Sequence, residues 1–279
     1  MSSYMKVILV QNNPEHKNIS KNIQTLKEYL KDFSENDQID LVLFSEMALT
    51  GYTFDSKEDI GPYTSYSDEG ETFEFCSYVS KKLKCYTFLG FPEKVRENTN
   101  LYNSLMITDR NGQLIKSYHK KYLFKDDKNW CNPGDKFEYI DIETNCGKKA
   151  RLALAICLDI YYSSSPDESF KFEYAKYFCD KNINFIIFPT NWADNNHDDN
   201  STNCIFNSIN DKWLKPLFPL FKEGIERNLY LLAADRTGIT KKGVYLLGCS
   251  CIVKLGLSCK IVNYLDKYTN GIIIQNLEF

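Results

Sequence analysis

Residues 41–52 read LVLFSEMALTGY: four apolar residues, then a carboxylate two positions later. The run 41–44 has the length and continuity of a strand buried on both faces, as occurs inside a sheet covered by other layers. A carboxylate carried to the end of such a strand costs several kcal/mol of desolvation unless it meets a partner. Glu46 therefore marks a place where the fold has a use for charge.

Working outward, the chain alternates strands with helices. KVILVQ (6–11) reads as a strand, followed by a helix whose Ile19, Ile23, Leu26, Leu30 and Phe33 recur at steps of four and three and form one apolar face. After LVLF the pattern predicts a helix near Thr72–Leu83, then the strand YTFLGF (86–91). LYNSLMIT (101–108) and LIKSYHK (114–120) flank DRNG, whose Asn111-Gly112 predicts a hairpin turn. CNPGD (131–135) turns the chain into FEYIDI. The later strands are expected in RLALAIC, NFIIFP, YLLAA, GVYLLGCSCIV and GIIIQ. A helix is expected around Phe170–Cys179, and another, interrupted by Pro216 and Pro219, before Asn228. There is no repeat, low-complexity block or Pro/Ser-rich linker, so residues 1–279 read as a single α/β domain. Hairpins mixed among β-α units fit two sheets covered by helices better than one doubly wound sheet.

Composition narrows the function classes. The net charge is −3 and no basic, aromatic-interleaved stripe occurs, which argues against a nucleic-acid partner. The first ten residues, MSSYMKVILV, lack a signal-peptide core, and no apolar run nears the roughly 18 residues of a membrane span. The expectation is a soluble, intracellular protein without a membrane partner. The ten cysteines are scattered and read as reduced thiols. Cys249 and Cys251 form a C-x-C without further ligand spacing, a weak metal signal.

Three strand ends deliver reactive side chains: LVLF gives Glu46, LIKSYH gives Lys120 and RLALAI gives Cys157. A thiolate is a strong nucleophile, a nearby cation lowers its pKa, and a carboxylate can carry the proton. Each residue taken singly is more often structural; the conjunction is what reverses the odds. Histidine offers no better base: His16 follows the first strand, His197 lies in the polar NNHDDN, and His119 alternates with Lys120 and so faces the other way.

At these residues the sequence resembles the nitrilase, or carbon-nitrogen hydrolase, superfamily. SEMALTGY matches its glutamate segment, HKKYLF its lysine segment K-x-x-L-F, and LAICLDIYY its cysteine segment, in the family's order and with NPGD between the last two. Lys120 rather than Lys121 stands three before Leu123. EMALTGYTF, KEDIGPY, DEGETFEF, CYTFLGFPE, LYNSL and NLYLLAADRTG are further similar to the fungal N-terminal amidases, over nearly the whole chain. The resemblance implies a four-layer α-β-β-α sandwich, a site without metal or cofactor, and peptide or protein substrates beginning with Asn or Gln that lose ammonia. A cytoplasmic location, a nuclear one beside it, and a homodimer are further expectations. In the mechanism the resemblance implies, Cys157 attacks the carboxamide, Lys120 and the backbone N–H of Leu158 hold the oxyanion, and Glu46 moves the protons.

Two positions depart from the family pattern. The second glutamate before the PGD turn is represented by Asp127, one methylene shorter, and the usual Asn of the later motif is Asp235. Asp235 reads either as a turn acceptor or as a carboxylate facing a substrate α-ammonium. Asn191 and Trp192 fall where the family walls its pocket. Tyr52 and Asp159 complete the substrate-side set, Asp159 being read first as a structural acceptor. Alternatives are a small-molecule amidase of the same superfamily, such as an ω-amidase or carbamoyl hydrolase, and a non-catalytic scaffold.

Overall fold

The structure is a computed structural model that describes residues 3–161, 172–194, 202–222 and 228–279. Twelve strands form two six-stranded sheets among the described residues. The first contains β1 (Tyr4–Gln11), β2 (Leu41–Leu43), β3 (Tyr86–Lys94), β4 (Leu101–Thr108), β5 (Leu114–His119) and β12 (Gly271–Glu278), in the order β12-β1-β2-β3-β4-β5. The second contains β6 (Tyr139–Glu143), β7 (Lys149–Leu154), β8 (Phe185–Pro189), β9 (Leu229–Ala234), β10 (Cys251–Leu255) and β11 (Lys260–Tyr264), in the order β11-β10-β9-β8-β7-β6. Each sheet has three parallel strands at its centre, β1-β2-β3 or β7-β8-β9, with antiparallel neighbours outside them. The second sheet thus repeats the pairing pattern of the first.

Strand alternation builds the layers. Val7, Leu9, Leu41 and Leu43 face Leu152, Leu154, Ile187 and Leu232 in the core between the sheets. Their neighbours Ile8, Val10, Val42 and Phe44 point the other way, against Leu26 of α1 (Ile19–Tyr29) and Phe75, Val79 and Leu83 of the later helix Glu71–Leu83. Between these two helices lie β2, a four-residue helical turn, Lys57–Ile60, and two 3-10 turns, Glu35–Asp37 and Gly61–Tyr63. On the far side, Ile186, Phe188 and Leu231 pack against Tyr174 and Phe178 of the helix Glu173–Phe178 and against Trp213 and Leu217. Both faces of the central strands are covered, which is why their sequences are continuously apolar. The result is an α-β-β-α sandwich, the expected class.

Several elements differ from the expected ones. The first helix stops at Tyr29, so Leu30 and Phe33 continue its apolar face from the following turn. The start of the expected helix near Phe170 lies outside the described residues. The helix Thr202–Ile209 runs into a wider π turn at Asn210–Leu214 and a 3-10 segment at Lys215–Leu220, where Pro216 and Pro219 cannot supply α-helical N–H groups. GVYLLGCSCIV becomes regular strand only from Cys251, because Gly248 (φ 60°) and Cys249 (φ 54°) turn the chain. Upstream, Leu247 N–H donates to Trp192 O at 2.8 Å and Gly248 N–H to Arg236 O at 3.0 Å, so this segment braces two loops of the site. The edge strand β11 carries no strong sequence signal and was not expected. Among the described residues, no helix is long and apolar enough to cross a membrane.

Candidate active site

Glu46 leaves the end of β2 in a turn that Asn12 supports: Ser45 Oγ donates to Asn12 Oδ1 at 3.1 Å and Asn12 Nδ2 to Ala48 O at 3.1 Å. Lys120 follows β5 directly, its backbone N–H bonded to Asn103 O at 2.8 Å. Glu46, Lys120 and Asp127 are fully buried. The Lys120 ammonium donates to Glu46 Oε1 and to Asp127 Oδ2, each at 2.7 Å. Asn103 Nδ2 bridges the same carboxylates, at 2.8 Å to Glu46 Oε1 and 3.1 Å to Asp127 Oδ1. Asp127 thus reaches the lysine despite its shorter side chain, because the turn after β5 brings its backbone close: Phe124 N–H also donates to Asp127 Oδ2, at 2.9 Å.

Two consequences follow from this count of partners. An ammonium has three donors, and two go to carboxylates, which leaves one for a reacting oxygen. Glu46 Oε1 accepts twice, while Glu46 Oε2 is buried without a hydrogen-bond partner and remains available to a proton. Burial opposes the charge of Lys120, but Asp127 and Glu46 outweigh it and hold the ammonium well above its ordinary range. Burial raises Glu46; Lys120 opposes that shift and Asp127 adds to it.

Cys157 stands at the start of a 3-10 turn, Cys157–Ile160, just past β7. Its φ of 47° is a left-handed conformation that turns the chain sharply at the sheet edge. The thiol is 6 % exposed and lies beside Thr190 and the backbone N–H of Asn191. Burial first and the Glu46 carboxylate second push the thiol up, and Lys120 only partly offsets them. This corrects the expectation of a cation-lowered thiol: in this site the thiol rests protonated and needs a base.

The substrate-side residues separate into groups. Tyr52 is buried against the triad, with Lys120 Nζ 5.8 Å from its ring centroid and its phenol beside Asp127. Leu158 is the half-buried residue directly after the nucleophile. Asp159 is fully saturated: Oδ1 accepts from the N–H groups of Lys121 and Tyr122, both at 2.9 Å, and Oδ2 from Tyr118 Oη at 2.8 Å and Ile156 N–H at 2.9 Å. It therefore ties the lysine loop to the nucleophile turn and has no oxygen free for substrate, which is the structural-acceptor reading. Asn191 is 7 % exposed, and both polar atoms of its amide lack partners. Trp192 sits between the inter-sheet core and the outer one, its N–H bonded to Asp235 Oδ1 at 3.0 Å. Asp235 is fully buried; Oδ1 also accepts from Arg236 N–H at 2.8 Å, while Oδ2 has no partner. Burial raises this carboxyl well above its usual range.

Asn103 and Arg236 belong to the site but were not singled out in the sequence. Asn103 is a fully buried amide inside a strand, and its signal was a polar residue in the middle of LYNSLMIT. His119 turns away from Lys120, bonding Glu93 at 3.0 Å and stacking on Tyr102. His16 packs on Phe54, and His197 lies outside the described residues.

Gly90 of β3 passes so close to the Glu46 turn that an added Cβ would lie 2.6 Å from Glu46 Cα, 2.8 Å from Ser45 O and 2.9 Å from Met47 N. These are backbone atoms, which cannot swing aside. Gly90→Ala is expected to displace Glu46, with a rate loss of at least about tenfold, since misplacing a reacting group by a fraction of an ångström is costly. Gly61→Ala, which meets nothing within 4 Å, is the matched control. Ammonia-release kinetics and thermal melts of the two variants check this; equal activity would refute it.

The carbon-nitrogen hydrolase family profile matches residues 6–166. The chain is 31 % identical to a protein N-terminal amidase of Schizosaccharomyces pombe, over 98 % of this chain and 100 % of that protein. It superposes on a crystal structure of N-terminal amidase with an Asn-Glu-Ala peptide at a TM-score of 0.81 and 19 % identity, covering 100 % of this chain and 99 % of that one. A structure of N-terminal amidase with a Gln-Val peptide gives 0.80 at 18 % identity, covering 99 % and 98 %. At those identities the structural likeness is one of fold.

Proposed function

Because the chain belongs to the carbon-nitrogen hydrolase family, whose members similar to it include a protein N-terminal amidase, we propose that it deamidates amino-terminal Asn and Gln of peptides and proteins to Asp and Glu. The observation that carries the chemistry is the unpartnered Glu46 Oε2 inside a fully buried Glu-Lys-Asp cluster that acts electrostatically on the Cys157 thiol.

In this reading Glu46 takes the thiol proton as Sγ attacks the side-chain carboxamide carbon. The carbonyl oxygen becomes an oxyanion held by the uncommitted N–H of Lys120 and the backbone N–H of Leu158. Glu46 returns the proton to the nitrogen, the C–N bond breaks, ammonia leaves and a thioester remains. Glu46 then takes a proton from water, whose oxygen attacks the thioester carbon. The C–S bond breaks, Glu46 returns that proton to the thiol, and the carboxylic acid formed gives up its own proton to solvent to leave the carboxylate. Asp127 and Asn103 keep Lys120 and Glu46 in register throughout.

The charge balance of the site supports a cationic substrate. Glu46, Asp127 and Asp235 oppose Lys120 and Arg236, three buried acids against two buried bases, while the separate Asp159 is satisfied by its four donors. An α-ammonium beside Asp235 Oδ2 would neutralise that excess and stabilise the ionised form of a carboxyl whose pKa burial raises.

The test is a comparison of peptides. An Asn-starting peptide is expected to release ammonia and its N-acetylated form is not. Asp235→Asn keeps an acceptor for Trp192 and Arg236 but removes the charge, so KM for the free-amine peptide should rise about 10- to 100-fold, the scale of losing one partner of a buried charged contact. Equal hydrolysis of free and acetylated peptides would overturn the amino-terminal reading and favour a small-molecule amidase.

A further inference from the structure

Arg236 is 3 % exposed, and its Nε and Nη1 have no hydrogen-bond partner. A guanidinium offers five donors and is costly to bury unless they are used, so a structural arginine at this depth normally has its fork filled by carboxylates or carbonyls. This one is not filled by its neighbours. Asp235 spends Oδ1 on the backbone N–H groups of Trp192 and Arg236, and its other oxygen stays open. The backbone of the pair is fixed: Asp235 N–H donates to Ser250 Oγ at 2.9 Å, and Arg236 O accepts from Gly248 at 3.0 Å. Asp235 and Glu46 both act electrostatically on Arg236, so the guanidinium lies within electrostatic reach of the Glu46 cluster. Burial pulls the guanidinium down to about 10, as expected of a cation short of partners.

Two consecutive buried side chains, one lacking a donor and the other an acceptor, describe their ligand. It carries a cationic donor and an oxygen acceptor a few ångströms apart. In an amino-terminal residue the α-ammonium and the first peptide carbonyl are joined through a single Cα, and the side-chain carboxamide leaves from that same carbon. We infer that Arg236 is a substrate-recognition residue that donates to the carbonyl oxygen of the substrate's first peptide bond while Asp235 Oδ2 receives the α-ammonium. The inference rests on the amino-terminal reading and adds to it that the pocket reads the main chain of residue one as a unit. A neutral carbonyl fits the charge balance better than a free carboxylate, which would restore the excess negative charge that the ammonium removes.

Two substrates isolate the contact. A short Asn-starting peptide has the ammonium, the carboxamide and the carbonyl; 3-aminopropanamide has the first two and lacks the third. The wild-type protein is expected to favour the peptide in kcat/KM, and Arg236→Met to lose about 10- to 100-fold more on the peptide than on 3-aminopropanamide, the scale of a hydrogen bond to a charged group. Arg236→Lys should fall between them. An equal loss on both substrates would make Arg236 structural and overturn the inference. Should Arg236→Met fail to fold in a thermal melt, the wild-type comparison decides alone, because equal use of the two substrates leaves the arginine nothing to read. The acetylated peptide keeps the tests apart: its hydrolysis sinks the amino-terminal reading, whereas loss of the peptide preference over 3-aminopropanamide sinks only the role of Arg236.

Discussion

Cys157→Ala is expected to lower ammonia release by at least about 10⁴-fold with the fold retained, since removing a nucleophile leaves only binding and oxyanion contacts. The left-handed φ of 47° is no worse for Ala than for Cys, and the lost Sγ is a small volume, so the melting temperature should change little. All nine cysteines with described side chains are free thiols, which makes the contrast between them informative. Cys249 and Cys251 are as buried as Cys157 and their thiols are likewise pushed up by burial, but the charged groups acting on them are Asp235, Asp194, Asp266 and Lys267 rather than the Glu46–Lys120 pair. Alanine at either is expected to cost about 1 kcal/mol of stability through the cavity and to leave turnover within about twofold. The measurement is ammonia release from an Asn-starting peptide beside a thermal melt. Undiminished turnover by the Cys157 variant would end the assignment of the nucleophile.

Lys120→Met should reduce kcat by about 100-fold or more, the scale for one preorganised oxyanion donor. A second effect distinguishes it from a purely catalytic change. Without the ammonium, Glu46 and Asp127 face each other at full burial, bridged only by Asn103, so one must take up a proton and stability should fall by about 3–5 kcal/mol. Lys121→Met removes a half-exposed contact to Glu173 and leaves the backbone N–H on Asp159, so both effects should be small. The reverse ranking would mean that the register of HKKYLF is shifted by one residue.

The legible part of the molecule was the part written in local pattern. Runs such as LVLF and NFIIFP are continuously apolar because both faces of the central strands are covered, and that property, with the Asn111-Gly112 turn and the heptad-like spacing before Phe33, specifies two covered sheets. Glu46, Lys120 and Cys157 stood out because each lies within three residues of a strand's end, and α/β folds gather side chains at strand ends. The stretch 243–250 was misread as strand because apolar residues that line a loop have the same composition as residues in a sheet; Gly248 and Cys249, both at positive φ, redirect it onto Trp192 and Arg236.

By itself the sequence determined two sheets covered by helices, since that depends on periodicity along each segment, whereas Glu46, Cys157 and the choice of Lys120 over Lys121 come from strand-end positions joined to the resemblance to the carbon-nitrogen hydrolases and belong to the proposed function. Only the tertiary structure decided that Asp127 reaches Lys120, that Asn103 bridges two carboxylates, that Asp159 is saturated while Asp235 and Arg236 are not, and that the Cys157 thiol is raised rather than lowered. The Lys120–Glu46 contact joins residues 74 positions apart and the Trp192–Asp235 contact residues 43 apart. Hydrogen-bond satisfaction and pKa are sums over all neighbours in space, with burial as the largest contribution at Glu46, Cys157 and Asp235. No local spacing encodes such a sum, because the groups that enter it are chosen by how the two sheets pack.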